Sequence, residues 1–552
     1  MKVGLAAAFS LLILFSPAVY ADGKVDRISL LYSTQVPFKK GVPIMTVMLN
    51  EGRDEVSFVT SPGAVFKPGS DEDATPVEAG AGQWTARIKD GRPAVVVWRL
   101  TVIELPFQEK EKCAEVEALW KERGFEVKTF TVGSVFGMKG RVNDNRVYVV
   151  TIPAGAQVDR DGALNYASEI YEKYGVRVVP YPDISEHPSG VIEISDRSGK
   201  KFLSADGMIS VERGGTTVVK KIEYGIGYSW HGYEDRKYTG EVIFTVDING
   251  RLVVINSLRM TDLLKGLVPS EINPRAPAEA LKAQAVAARS EILAKIGQRH
   301  PGNPYLLCAE QHCQVYSGLG REVSETSDAV DETEGEVVTG GNGRIVGTVY
   351  SSNCGGHTED NDVVWNHPAE PALRGKPDMP EDSASAARWK GPLNGKRLEK
   401  WIAERPGAAW CSKGSFARQS SFRWRKVIRA EVLDAMVNSK FKIGKVQDIQ
   451  VIGRGASGRV TGVRIMGDNG VANVGKELAV RRLFGNLKSG MFVLWIVRDS
   501  DDMPVKFIFS GGGWGHGVGM CQTGAMGMAE NGYAYSEILK HYYTGTTVEK
   551  VY

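Results

Sequence analysis

The sequence predicts an α+β protein of several domains, and three observations carry that expectation. Runs of β-branched and apolar residues between Gly, Pro and Asp recur in both halves and read as short strands. An alanine-rich stretch after Pro277 has helical periodicity. A helix, glycine, strand order occurs twice between residues 109 and 181. The 552 residues, 42% of them apolar, are enough for roughly two to four cores. A formal charge of +3 leaves no dense basic face, so a nucleic-acid footprint is not expected.

The chain opens with Lys2, an apolar run from Val3 to Phe15, and small residues Val19 and Ala21 at the −3 and −1 positions of a cleavage site. Residues 1–21 therefore read as a signal peptide, the run being shorter than the roughly 18 to 20 residues of a span. No later segment has the length and apolarity of a span, and no cysteine stands where lipid would attach. An exported protein, periplasmic or secreted to the cell wall, is expected, with no integral membrane segment in the mature chain. In an oxidising compartment its six cysteines could pair.

Residues 22–108 form a β-rich lead-in, with strands expected at Val42 to Val59 and Ala94 to Leu105. In residues 109–181, LWKERGFEV (119–127) repeats as IYEKYGVRV (170–178). Val116, Leu119 and Trp120 share one helical face; Leu164, Ala167, Ile170 and Tyr171 share another. Gly124 and Gly175 are placed to cap these helices in the left-handed region. With RVYVVTIPAG (146–155) as an added strand, this small α/β module resembles, in topology, the SPOR class of bacterial wall-binding domains. The alternative is a plain structural insertion.

Residues 182–238 read as a β-rich connection, and residues 239–552 as the main domain. TGEVIFTVDINGRLVVINSLRM (239–260) reads as two strands around Asn249-Gly250, a hairpin signal. Strand alternation returns at Val446 to Ile465 and Met491 to Ile508. Between them, Asp378 to Arg425 is loop-like and holds Trp389, Trp401, Trp410 and Trp424. These read as packing residues, with a sugar-stacking surface as the minor alternative.

The helix is expected to start at Pro277 and stop before Gly297, with Leu281, Ala285, Ala288, Ile292 and Ile296 as a stripe that buries one side. Gln284 and Arg289 fall at the margins of the stripe and should reach partly buried polar partners. Glu271 precedes this helix in VPSEINP, where Pro269 and Pro274 restrict a turn. Three polar, glycine-rich stretches accompany it: HCQVYSG (312–318), VYSSNCGGHTED (349–360) and SGGGWGHGVGMCQTGAMGMAENG (510–532). Such tracts suggest backbone brought close to a ligand or another chain.

In order, VPSEINP, EALKAQAVAARS, HCQVYSG, SSNCGGHTED, GGGWGHGVGMCQTGA and ILKHYYTGT resemble the signature of the SpoIID/LytB family across residues 239 to 552. The resemblance implies a β-rich catalytic core with a buried Ala-rich helix, acting on peptidoglycan. SpoIID-type members are lytic transglycosylases, and LytB-type members were named as modifiers of an amidase. Glu271 corresponds to the SpoIID catalytic glutamate, so a lytic transglycosylase acting on glycan strands is expected. The alternative is a non-catalytic wall-binding protein that stimulates a wall amidase.

One carboxylate suffices for this chemistry when the nucleophile, the C6 hydroxyl of N-acetylmuramic acid, is already tethered to the reacting sugar. The acid role requires a raised pKa, and apolar Leu267, Val268 and Ile272 flank Glu271. Gln284, Arg289, Ser351, Asn353, His357, His516 and Gln522 are candidates to hydrogen-bond the glycan, and Trp514 to stack on a sugar face. Each has a competing role, satisfying the glycine loops or packing in the core. His300, Cys308, His312 and Cys313 match a structural Zn²⁺ set, and the family resemblance points the same way; a Cys308 to Cys313 disulfide is the rival. No HExxH-like helix supports a catalytic zinc at His357 and His516.

Overall fold

The computed structural model describes residues 20–21, 24–71, 74–155, 158–226, 230–365 and 367–552. All of the expected signal except Tyr20 and Ala21 lies outside the described residues. Mixed helices and strands build several packed units, as expected of an α+β chain.

Two antiparallel-rich sheets face one another. In one, Val42–Arg53 lies between Leu307–Cys308 and Leu252–Arg259, followed by Glu241–Val246, Met208–Arg213, Ala64–Pro68 and Val77–Glu78. In the other the order is Lys201–Asp206, Ser189–Asp196, Gly82–Arg92, Glu55–Thr60, Thr217–Tyr224 and Gly232–Tyr238. Alternation explains the packing: Met45, Val47 and Leu49 point inward from the first sheet, and Val56 and Phe58 from the second. Phe58 meets Phe244 across the gap with ring centroids 4.6 Å apart. The hairpin expected at Asn249-Gly250 is present. Asp247 Oδ1 accepts from the amides of Asn249 and Arg251 at 2.8 and 2.9 Å, and Gly250 takes φ +76°.

The strands run across the boundary drawn at residue 239. Val42–Arg53 hydrogen-bonds to Leu252–Arg259, so the N-terminal part and the main domain share one sheet.

The helix, glycine, strand repeat forms a sheet ordered Lys128–Val132, Val147–Pro153, Val95–Pro106, Val179–Glu186, with every neighbouring pair antiparallel. Helices Lys110–Glu122 and Arg160–Tyr174 make the two crossovers, giving two interleaved βαβ units. Gly124 and Gly175 have φ +86° and +67°, the left-handed caps expected. The inner strand Val95–Pro106 precedes the module start expected at 109. The unit docks on the end of the long helix, where Asn145 Nδ2 donates to the carbonyls of Leu293 and Ile296.

A third core joins Arg423–Arg429, Pro504–Gly512 and Phe492–Arg498 to a second three-stranded sheet, Val446–Arg454, Val460–Gly467 and Gly470–Gly475. Before it, the stretch expected to be a loop holds helices Ala384–Trp389 and Gly395–Glu404. Trp389, Trp401 and Trp410 are buried there as packing residues, which removes the sugar-stacking alternative for those three.

Two sequence expectations need correction. Glu271 is not in a free turn: it is the last residue of helix Met260–Glu271, which continues through Pro269. Helix Ala278–Lys295 is buried on nearly all sides rather than along one stripe. Alanines 280, 283, 285, 287 and 288 are fully covered, because their small side chains admit helices Ser324–Glu332, Gln522–Glu530 and Tyr535–Tyr542 as well as strand Glu336–Gly340.

Candidate active site

Helix Met260–Glu271 delivers Glu271 to a place where three stretches meet. Leu267, Val268 and Ile272, beside it in sequence, are buried in the central core. The Val315 amide, from HCQVYSG, donates to Glu271 Oε1 at 2.6 Å. Gln522, the first residue of helix Gln522–Glu530, donates from Nε2 to the Glu271 carbonyl at 2.9 Å and to Gln284 Oε1 at 3.2 Å. Among the described residues Glu271 makes no ion pair. Burial raises its carboxyl to a pKa of about 7, against the pull of the Val315 amide. The group is therefore poised to give and take a proton near neutral pH.

Gln314 and Tyr350 complete the surroundings. The Tyr350 hydroxyl donates to Gln314 Oε1 at 2.6 Å, and Gln314 Nε2 donates to the Ala288 carbonyl at 3.1 Å. Burial and then the nearby Glu271 charge raise the Tyr350 phenol well above its ordinary range. Neither residue was singled out from sequence, although both lie inside the glycine-rich motifs. Ser270 donates to the Gly266 carbonyl and to the Ser317 hydroxyl, each at 3.1 Å, tying the end of the glutamate's helix to the loop that carries Val315.

The other glycine-rich stretches pair with each other. Tyr350–Ser351 runs parallel to Met520–Cys521, and Asn353 and Trp514 exchange backbone hydrogen bonds of 3.1 and 2.7 Å. Gly519 shows why glycine is needed: at φ +67°, an added Cβ would lie 2.1 Å from the Val349 carbonyl oxygen.

Of the glycan-binding candidates all but Trp514 and His516 are buried, and they differ in what surrounds them. Gln284 and Gln522 meet beside Glu271, and Gln284 Nε2 is buried without a partner among the described residues, as is Ser351 Oγ. Trp514 is exposed, with Lys488 Nζ 4.9 Å from its ring centre, so it is not a core residue. His516 packs against Trp365 at 4.9 Å and accepts from the Val518 amide at 3.0 Å; burial lowers its pKa to about 3. Three candidates are turned away from any surface. Arg289 is fully buried and donates to the carbonyls of Glu336 and Val330 at 3.0 and 3.3 Å. Asn353 is buried between the Gly355 amide and the Cys411 carbonyl. His357 is buried with Nδ1 2.7 Å from the Thr358 carbonyl, and burial drops its pKa to about 4, so it is a neutral Nδ1–H donor. In this structure all three bond to neighbouring backbone, while Arg289 Nε and His357 Nε2 are buried without a partner among the described residues.

The four residues expected to hold a metal do converge. One donor atom from each of His300, Cys308, His312 and Cys313 lies within 4.8 Å of the others. His300 Nε2 is 3.2 Å from Cys313 Sγ, and His312 Nδ1 is 3.8 Å from both sulfurs. Both cysteines are buried free thiols. Two imidazoles and two thiols in one cluster suit a closed tetrahedral zinc site.

Residues 248–339, which include Glu271 and this cluster, match the family model SpoIID, described as stage II sporulation protein. The chain belongs to the SpoIID/LytB family. A second model, the domain of unknown function DUF8618, matches residues 359–519. Similar proteins include an uncharacterised protein of Brachyspira hyodysenteriae, 29% identical over 322 residues, covering 58% of this chain and 74% of that one. The amidase enhancer of Bacillus subtilis is 30% identical over 303 residues, 52% of this chain and 40% of that protein. Stage II sporulation protein D of Bacillus amyloliquefaciens is 27% identical over 315 residues, 54% and 76% of the two chains. The domain of unknown function begins just after SSNCGG (351–356) and takes in GGGWGHG (511–517) at its end.

Proposed function

We propose that the chain is a peptidoglycan lytic transglycosylase that cleaves the bond between N-acetylmuramic acid and N-acetylglucosamine and leaves 1,6-anhydromuramic ends. The observation that carries this reading is Glu271, a single carboxyl with a pKa of about 7, held by one backbone amide and free of ion pairs among the described residues. Val315 occupies Oε1, which leaves Oε2 to carry the acid proton. Protonated Glu271 gives that proton to the bridging O4 as the C1–O4 bond breaks. The resulting carboxylate then takes the proton of the muramic acid C6 hydroxyl as its oxygen bonds to C1, so the glutamate ends as it began. Gln522 and Ser351 offer polar groups for the sugar amides and hydroxyls, Gln284 holds Gln522, and Trp514 offers an exposed ring.

His300, Cys308, His312 and Cys313 would hold a structural Zn²⁺. Cys313 is two residues from Val315, so the ion would fix the loop whose amide holds Glu271. With four protein ligands it would leave no position for water.

The interleaved βαβ unit is proposed as a wall-binding module of an exported protein. Because its sheet begins at Val95 and ends at Glu186, fragment 95–186 is the piece to test. It should fold and co-sediment with purified peptidoglycan; a folded fragment left in the supernatant rejects the role.

A second reading, stimulation of a wall amidase without cleavage, is favoured by the similarity to an amidase enhancer. Incubating purified glycan strands with the native protein and with Glu271→Gln separates the two. Cleavage by the native protein alone, lost in the variant, supports the first reading. No cleavage by either, together with a faster partner amidase, supports the second.

A further inference from the structure

Cys354, Asp378, Cys411 and Cys521 come from four separate stretches and meet in a core where all four are 0% exposed. One donor atom from each lies within 4.8 Å of the rest. Cys354 Sγ is 3.6 Å from Cys411 Sγ and 3.1 Å from Asp378 Oδ2. Thiolates held tetrahedrally about one zinc at ~2.3 Å stand about 3.8 Å apart. A disulfide would bring two sulfurs to about 2.05 Å. The spacing is thus that of ligands around a common centre.

The surroundings are built for the same purpose. Asp378 aims Oδ2 at the sulfurs, while its Oδ1 accepts from the Tyr542 hydroxyl at 2.8 Å and lies 3.2 Å from His541 Nε2. Cys521 Sγ accepts from the Cys354 amide at 3.1 Å and the Gly524 amide at 3.3 Å, contacts that favour a thiolate. A fully buried carboxylate needs compensating charge, and His541 supplies it only when protonated. A divalent cation meets that need and uses all three sulfurs.

We infer that Cys354, Asp378, Cys411 and Cys521 bind one structural zinc ion, separate from the His300, Cys308, His312 and Cys313 set. Asp378 and Cys411 belong to the domain at residues 359–519, whereas Cys354 and Cys521 lie just beyond its two ends, on the paired glycine-rich stretches. Cys521 also caps the helix whose first residue, Gln522, holds Gln284 and the Glu271 carbonyl. The ion would staple the inserted domain to the element that positions the glutamate. This inference does not depend on which reaction the glutamate performs.

The test uses the full-length protein purified without reductant or chelator. Alkylation in denaturant should label Cys354, Cys411 and Cys521 as free thiols, and Cys411→Ser should carry about one zinc fewer than the native protein. A disulfide within the set, or a zinc content unchanged in Cys411→Ser, overturns the inference. If that variant does not fold, zinc-edge X-ray absorption of the native protein decides. The other set can supply only two sulfurs per ion, so an average above two requires this site. Two or fewer, or no zinc, overturns it.

Discussion

At the scale of the residue, the account rests on how burial treats one carboxyl. The folded-state pKa of Glu271, about 7, lies above its ordinary 4.5. Between those values the native protein keeps a proton that the unfolded chain releases, so this group's contribution to stability falls as pH rises from 4.5 to 7 and is least favourable above 7. Glu271→Gln should therefore be more stable than native at about pH 8, by roughly 1–3 kcal/mol, and show little difference near pH 4. Thermal melts at the two pH values check this; equal melting temperatures at the higher pH would reject the raised pKa. The same titration sets the pH dependence of the proposed reaction, since an acid must be protonated to act. For glycan cleavage, kcat/KM should fall about tenfold per pH unit above an alkaline limb near 7, and a flat profile to about pH 9 would remove Glu271 as the acid. Glu271 itself was legible in VPSEINP because the surrounding motifs come in a recognisable order. The Val315 amide was not legible, since a backbone donor has no side-chain signature. Arg289 meets buried polar partners as its place on the helix implied, but helical periodicity did not say that the Glu336 and Val330 carbonyls would be those partners.

At the scale of the element, close backbone approach does the positioning. Gly266 lies inside helix Met260–Glu271, where alanine would ordinarily be favoured by about 1 kcal/mol. Here an added Cβ would stand 2.6 Å from the Gly318 carbonyl oxygen and 2.8 Å from the Tyr316 ring. The sign should reverse, and Gly266→Ala should destabilise by roughly 1–3 kcal/mol, with reduced cleavage because the Val315 loop is pushed from the helix. Denaturant unfolding measures it; a variant as stable as native would show that the contact relaxes freely. The hairpin at Asn249-Gly250 and the capping glycines were legible because turns demand particular residues. The one-sided reading of helix Ala278–Lys295 failed because a sequence with alanine on every face does not mark which face is exposed, and this one has almost none. Pairing of the two glycine-rich stretches carries no periodicity, so only the folded chain brings them together.

At the scale of the whole molecule, the sequence-based boundaries and the sheets do not coincide. Strand Val42–Arg53 hydrogen-bonds to Leu252–Arg259 and contributes Met45, Val47 and Leu49 to the core beneath Glu271's helix. Fragment 239–552, though it spans every motif of the family resemblance, would lack Val42–Arg53, bare the edge of Leu252–Arg259 and lose this packing. It should lack a cooperative thermal transition, read by circular dichroism, whereas residues 22–552 should melt cooperatively. A sharp melt for the fragment would show the motif-bearing part to be self-sufficient. Strand type was legible from alternation, but partners across some 200 residues were not, because register between distant strands leaves no local trace.

These scales meet in the claim that one half-buried glutamate cleaves glycan strands by an internal transfer. The most direct measurement is mass spectrometry of the products when purified glycan strands are incubated with the native protein alone. The account predicts fragments ending in 1,6-anhydromuramic acid and no such fragments with Glu271→Gln. Reducing ends, freed stem peptides, or an undigested substrate beside an accelerated amidase would contradict it.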